Sequence, residues 1–318
     1  LNLTASSLNA LSYRFISLVP SSAFILFHTR VFFDCIFIVA LQIGGKTLTT
    51  LSDGYSPIDY DTLHSIPKEV GIHLQREAHR TDNPIFTHNM FLIRGEDHPP
   101  ILIDAGMGGS AGPTLGWLTS SLAKAGVEKE EIGFILMTHL HPDHCGGLVD
   151  ENGEAVFPNA TLVVHQDELD FWLTVEGEQR SPESLKPFFG MVRASVEPYL
   201  ERLIKMTSGE VAPGIRAVPL RGHTPGHTGF LVESEGVEVF IWGDIIHLPA
   251  IQPAWPSVGV IHDVDPDAAA VTRKKVFVEV ADRKQLVAGN HLEFPGLAYL
   301  ERKGEAFKLV PELWISKL

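Results

Sequence analysis

Phe134-Ile135-Leu136-Met137 runs directly into Thr138-His139-Leu140-His141-Pro142-Asp143-His144-Cys145-Gly146-Gly147. The first four residues read as a short, wholly apolar strand. The ten residues after Met137 therefore lie at a strand's C-terminal end, where α/β proteins place their ligand loops. Residues i and i+2 of an extended segment point the same way, so His139 and His141 are able to grip one ion. The chain turns after Pro142, which lets Asp143 and His144 face a second position. Gly146 and Gly147 allow the backbone to pass close to the site. A lone histidine is usually a core or surface residue, but four ligand-type side chains in six residues is not a core pattern.

A metal site needs three or four protein donors, so further ligands are expected from later loops. Gly222-His223-Thr224-Pro225-Gly226-His227 follows an apolar strand. Trp242-Gly243-Asp244 ends a second one, and Ala288-Gly289-Asn290-His291 a third. Each is commonplace alone; together with the first cluster they complete a donor set.

Working outward, Lys46 to Leu51 alternates like a strand and Ser52-Asp53-Gly54 reads as a turn. Met90–Arg94 and Ile101–Asp104 read as a hairpin. Leu115–Ala125 has helical periodicity and stops at Gly126. Ala160–Val164 is a strand followed by a helix from Gln166 to Leu173. Glu183–Leu203 is mostly helical, disturbed by Pro187 and Pro198. Ile215–Pro219, Gly229–Val232 and Glu238–Trp242 are strands, and Asp265–Val280 is a helix with an N-cap. Gln285–Ala288, Ala298–Arg302 and Phe307–Val310 close the chain as strands. Strand pairs alternating with helices predict an α/β/β/α layered sandwich.

The His-x-His-x-Asp-His run, Gly-His-Thr-Pro-Gly-His, Gly-Asp and the late histidine resemble the metallo-β-lactamase superfamily, over about Gln42 to Trp314. Gly112-Pro113-Thr114-Leu115-Gly116, Asp170-Phe171-Trp172-Leu173, Asp263-Val264-Asp265 and His291-Leu292-Glu293-Phe294-Pro295-Gly296 resemble its methyl parathion hydrolase-like branch, which includes phosphotriesterases and has lactonases as relatives. The resemblance implies an α/β fold of the αββα sandwich type and two bound divalent ions. It places His139, His141 and His223 on one ion, Asp143, His144 and His291 on the other, and Asp244 between them. Histidine and carboxylate donors without thiolate suit zinc, with manganese, iron or cobalt as alternatives. Two such ions would supply an activated water near neutral pH, and Asp143 or Asp244 would pass a proton to the leaving group.

Cys145 reads as a small packing residue, and His227 as a residue that orders its loop or supports a ligand. Trp172 and Phe189 are expected at the substrate pocket, with Phe171 in the core. Two positions depart from the phosphotriesterase pattern: Ala111 stands where a bulky aromatic is usual, and His247 where an apolar residue is usual. A smaller wall and a polar group suit a lactone or carboxylic ester at least as well. His247 either contacts substrate or caps its loop.

The formal net charge of −14, from 25 basic and 39 acidic residues, argues against nucleic acid and anionic membranes. Arg273-Lys274-Lys275 reads as one solvated helical turn. Two cysteines, Cys35 and Cys145, are too few for a disulfide scaffold and leave the compartment, cytoplasmic or periplasmic, open. Residues 1–41 form an apolar, Ser-rich extension, read either as a signal peptide with Arg14 in its basic region and Ala40 near a cleavage site, or as a non-native extension. It is too short and interrupted for a stable membrane span. Residues 42–318 form the catalytic domain, acting on a small-molecule substrate, and the resemblance implies a possible homodimer. Rival readings are a thioesterase or glyoxalase-type enzyme on the same fold, and a non-catalytic metal-binding protein.

Overall fold

The computed structural model describes residues 38–109 and 112–313. Arg14, Cys35 and Ala111, and the expectations attached to them, lie outside the described residues. Gln42, the expected domain start, falls inside the first described strand.

In chain order the strands are β1 (Ile38–Ile43), β2 (Lys46–Pro57), β3 (Leu63–His64), β4 (Ile85–Arg94), β5 (Ile101–Ile103), β6 (Phe134–Leu136), β7 (Thr161–His165), β8 (Leu203–Met206), β9 (Gly209–Ala212), β10 (Ile215–Pro219), β11 (Thr228–Ser234), β12 (Val237–Ile241), β13 (Gly259–Val260), β14 (Leu286–Ala288), β15 (Leu297–Lys303) and β16 (Ala306–Pro311). The helices are α1 (Lys68–Glu77), α2 (Leu118–Lys124), α3 (Pro142–Cys145), α4 (Gln166–Trp172), α5 (Val175–Arg180), α6 (Phe188–Val196) and α7 (Pro266–Arg283). One seven-stranded sheet runs β1-β2-β4-β5-β6-β7-β8 and a second runs β16-β15-β14-β12-β11-β10-β9. The pairs β5–β6, β6–β7, β7–β8 and β12–β14 are parallel.

The short apolar strands are explained by burial on both faces. Phe91, Ile103, Leu136 and Val163 point between the sheets, where they meet Phe230, Val232, Val239 and Ile241. Their neighbours Leu92, Leu102, Ile135 and Leu162 point the other way, under Leu122 of α2 and Phe189 and Val192 of α6. On the far side Leu231 and Phe240 pack beneath Val276, Phe277 and Val280 of α7. The result is the expected four-layer sandwich. Each fully buried side chain of this size contributes about 1.5–3 kcal/mol, so the all-apolar runs fix the rigid frame from which the loops project.

Three local expectations are corrected. Ser52-Asp53-Gly54 does not reverse the chain: β2 continues to Pro57 through a bulge between Ser52 and Gly54. Gly54 has φ +114°, and a Cβ there would meet the Thr114 carbonyl oxygen at 2.0 Å, so the glycine serves a bulge and a close approach rather than a turn. The helix expected from Leu115 begins at Leu118, because the buried Asp53 carboxylate reaches across to accept from the Leu118 N–H at 2.8 Å. Arg273 is not solvated: it is 1% exposed, while Lys274 and Lys275 are exposed. Among the described residues no helix is long and apolar enough to cross a membrane.

Candidate metal centre

The ligand loops leave the same edge of both sheets. Thr138 and His139 follow β6, His223 lies between β10 and β11, Asp244 follows β12 and His291 follows β14. His139 Nε2, His141 Nδ1 and His223 Nε2 converge, with Nδ1 of His141 standing 3.0 Å from His139 Nε2 and 2.9 Å from His223 Nε2. Asp244 Oδ2 lies 3.3 Å from His144 Nε2, 3.1 Å from His291 Nε2, 3.4 Å from His223 Nε2 and 3.7 Å from His139 Nε2. Asp143 Oδ2 lies 3.5 Å from His291 Nε2 and 3.7 Å from His144 Nε2. The seven residues named from the sequence thus stand around one centre.

Four of the five histidines have their tautomer set by an acceptor behind them, as metal-ligating histidines require. His144 Nδ1–H donates to Asp104 Oδ2 at 2.8 Å, His223 Nδ1–H to Asp263 Oδ1 at 2.7 Å and His291 Nδ1–H to the Thr87 carbonyl at 2.8 Å. Thr138 Oγ1 donates to Asp104 Oδ2 and so accepts from His139 Nδ1–H at 3.0 Å. Each ring therefore turns Nε2 into the site.

Asp104 is the hub of this support. It has φ +61°, a conformation that costs a non-glycine residue energy. The surroundings hold it there: its carboxylate also accepts from the Thr138 N–H at 2.7 Å and Asn290 Nδ2 at 2.9 Å. In the sequence Asp104 stands only at a strand end, and Asp263 shows no role of its own. Glu168 shows none either, yet it is fully buried on α4 and accepts from the Leu140 N–H at 2.9 Å, the Gly226 N–H at 2.8 Å and Trp172 Nε1 at 3.0 Å. A single carboxylate thereby ties the loop of His139 and His141 to the loop of His223.

The charge pattern favours cations. Burial works against ionising Asp143 and Asp244, yet the surrounding histidines hold both carboxyls well below the usual range. Burial likewise opposes protonation of His223, but Asp244 and Asp263 outweigh it and raise its pKa to about 9. His144 and His291 are raised by their carboxylate neighbours in the same way, against burial. His139 and His141 are driven well below the ordinary histidine value, first by burial. Asp244 Oδ1 and His144 Nε2 are buried without a hydrogen-bond partner. Orphaned donor atoms, histidine and carboxylate chemistry and a tautomer-fixed shell fit two divalent ions.

The remaining expected residues fall as follows. His247 is 2% exposed, its Nε2 is 3.1 Å from Asp244 Oδ2 and its ring stacks on His291 at 5.1 Å. Trp172 and Phe189 are fully buried, packed on each other at 4.6 Å, and Trp172 meets the edge of His141 at 5.5 Å. They back the ligand rather than offer surface to a substrate, since the indole is held inward by Glu168. The half-buried residues beside His141 are His262 and, against it, Phe188. The sequence signal for His262 is its place next to the Asp263-Val264-Asp265 motif. Cys145 is fully buried, with its thiol pushed up by burial, out of reach of thiolate chemistry.

Residues 84–283 match the family model for the metallo-beta-lactamase superfamily. The chain belongs to this superfamily. An N-acyl homoserine lactonase from Bacillus sp is 32% identical over 164 residues, 46% of this chain and 58% of the lactonase. The alignments with this and similar curated lactonases therefore span somewhat under three-fifths of their length. Among solved structures, the dizinc quorum-quenching lactonase AidC, in complex with a product, superposes with a TM-score of 0.83 at 28% identity, over 89% of this chain and all of AidC. The hydrolase AbOPH of the beta lactamase superfamily gives 0.84 at 28% identity, over the same shares.

Proposed function

We propose that this chain is a hydrolase of small, uncharged ester-type substrates, lactones ahead of phosphotriesters, working with two divalent ions of which zinc suits the donors best. The observation that carries the reading is the convergence of His139, His141, His223, Asp143, His144, His291 and Asp244, with the histidine tautomers fixed from behind. When bound, such ions supply an activated water and a Lewis acid for the scissile carbonyl. The chain's own residues do the rest. Asp244, 2% exposed, is wholly enclosed and holds position between the two ligand groups. Asp143 has 21% of its side chain exposed, so it is the carboxylate placed on the open side, where it would take the proton shed by the attacking water and return it to the leaving oxygen. His262, half-buried beside His141, and Phe188 against it are the side chains this reading assigns to the substrate.

The likeness to lactonases supports lactones as the substrate class, and the polar His247 beside Asp244 supports it against the apolar phosphotriesters. The test is elemental analysis of the purified protein and assay of the same sample on a lactone, an aryl ester and a phosphotriester. About two ions per chain, turnover lost on chelation and preference for the lactone are expected. A well-folded protein that takes up no metal and turns over none of the three would make it a binding protein.

A further inference from the structure

Strand β4 brings one more histidine to the centre, outside the seven residues above. His88 is 3% exposed, and its ring meets His291 edge-on with centroids 4.9 Å apart. Its Nε2 pairs with Ser56 Oγ at 2.9 Å. Its Nδ1 is buried and has no aligned hydrogen bond, although Asp143 Oδ2 is only 3.3 Å away. Nδ1 of His88, a carboxylate oxygen of Asp143 and a ring nitrogen of His291 all lie within 4.8 Å of one another.

This is the pattern of the other ligating rings: one nitrogen anchored from behind, the other bare and turned into the site. Ser56 Oγ is able to accept from Nε2–H, which leaves the Nδ1 lone pair free. Nδ1 stands 3.3 Å from Asp143 Oδ2, and with His291 the three donor atoms lie close enough to share one ion. We propose that His88, through Nδ1, is a further protein donor to the ion held by Asp143 and His291. The inference rests on the two-ion reading above. His88 carries no signal in the sequence, because it sits mid-strand with no other ligand-type residue beside it.

The test uses the full chain labelled with nitrogen-15 histidine and loaded with cadmium-113. The expected result is a cadmium–nitrogen coupling at His88 Nδ1, assigned by its loss in His88→Gln. In a zinc titration the same variant should weaken the second ion by on the order of 10–100-fold and leave the first within about twofold. The coupling is read on the unsubstituted protein, so a variant that fails to fold hides nothing; Ser56→Ala, which shifts the His88 resonances, then supplies the assignment. An uncoupled His88 in a protein that holds two ions and turns over substrate overturns this inference alone. A chain that takes up no ions overturns it together with the hydrolase reading.

Discussion

His227 Nε2 accepts a hydrogen bond from the backbone N–H of Asp244 at 3.0 Å, while its Nδ1–H donates to the Leu220 carbonyl at 3.0 Å. Both bonds need a neutral ring. Burial, followed by the nearby His223, depresses its pKa to about 3. Gly243 makes room for the contact: it has φ +58°, and a Cβ there would lie 2.4 Å from His227 Nε2.

Acid should therefore act on the fold through His227. The unfolded chain binds a proton there below about pH 6.5, whereas the folded chain resists until about pH 3. The stability that His227 contributes is complete above pH 6.5 and is lost as pH falls through that window, by roughly 5 kcal/mol at the bottom. His227→Gln keeps an acceptor for the Asp244 N–H and does not titrate. Urea midpoints of the metal-free proteins, followed from pH 7 to pH 4, should fall less steeply for the variant. Parallel curves would show that His227 does not carry this proton linkage. Gly243→Ala should lower activity without any pH signature, through displacement of the imidazole.

The second prediction follows from the raised pKa values of His144, His223 and His291. In the metal-free protein these rings hold protons that balance Asp143 and Asp244. An entering dication must displace them. Titration calorimetry of zinc in buffers of different ionisation enthalpy, at pH 7, should report release of more than one proton per chain, and apparent affinity should fall as pH is lowered. Uptake without proton release would mean that the rings are already neutral and that the charge balance is set elsewhere.

A third prediction tests the carboxylate that joins the two ligand loops. Removing Glu168 leaves the Leu140 N–H, the Gly226 N–H and Trp172 Nε1 without their acceptor, at about 1–3 kcal/mol for each buried group. Glu168→Ala should therefore be strongly destabilised, with loss of the ion that His139, His141 and His223 would hold. Glu168→Gln keeps the volume but turns an amide N–H₂ toward donors, so it should fall between. Thermal melts with matched metal analysis check the order. A Glu168→Ala protein with native stability and two ions would show that the loops hold their positions unaided.

Much of this was legible in the chain. Phe134 to Met137 and Glu238 to Trp242 announced themselves as buried strands because burial on both faces removes most polar residues. The seven side chains that converge were legible because ligand types cluster after such strands and because their motifs resemble the superfamily's. What supports them was not. Asp104, Glu168 and Asp263 are ordinary acidic residues in sequence, and only folding shows what each carboxylate reaches. Ser52-Asp53-Gly54 carried turn chemistry that the fold uses for a bulge. Arg273 looked solvated because it neighbours two lysines, yet residues three and four apart share a helix face, and Ala269, Val276, Phe277 and Val280 are its buried companions.

That arginine gives the last prediction. Arg273 Nε donates to the Ile245 carbonyl at 2.7 Å, and Nη1 donates to the Pro256 and Val258 carbonyls at 2.9 Å each. It therefore fastens the loop that leaves Asp244 and carries His247. Lysine keeps the charge but lacks the planar fork that serves three carbonyls at once. Arg273→Lys should cost about 1–3 kcal/mol, a drop of about 2–8 °C in Tm for a domain of this size. Metal content should survive, because His227 and the strand end of β12 still hold Asp244 in place. Activity should fall further than stability accounts for, since His247 and its loop lose their register beside the site. Arg273→Met removes the charge as well and leaves the same carbonyls unpartnered, with only Val258 retaining Gln252 Nε2 at 2.9 Å. If the Arg273→Lys protein melts with the wild type and keeps full turnover, the loop is held by its own backbone bonds and the buried guanidinium does not position it.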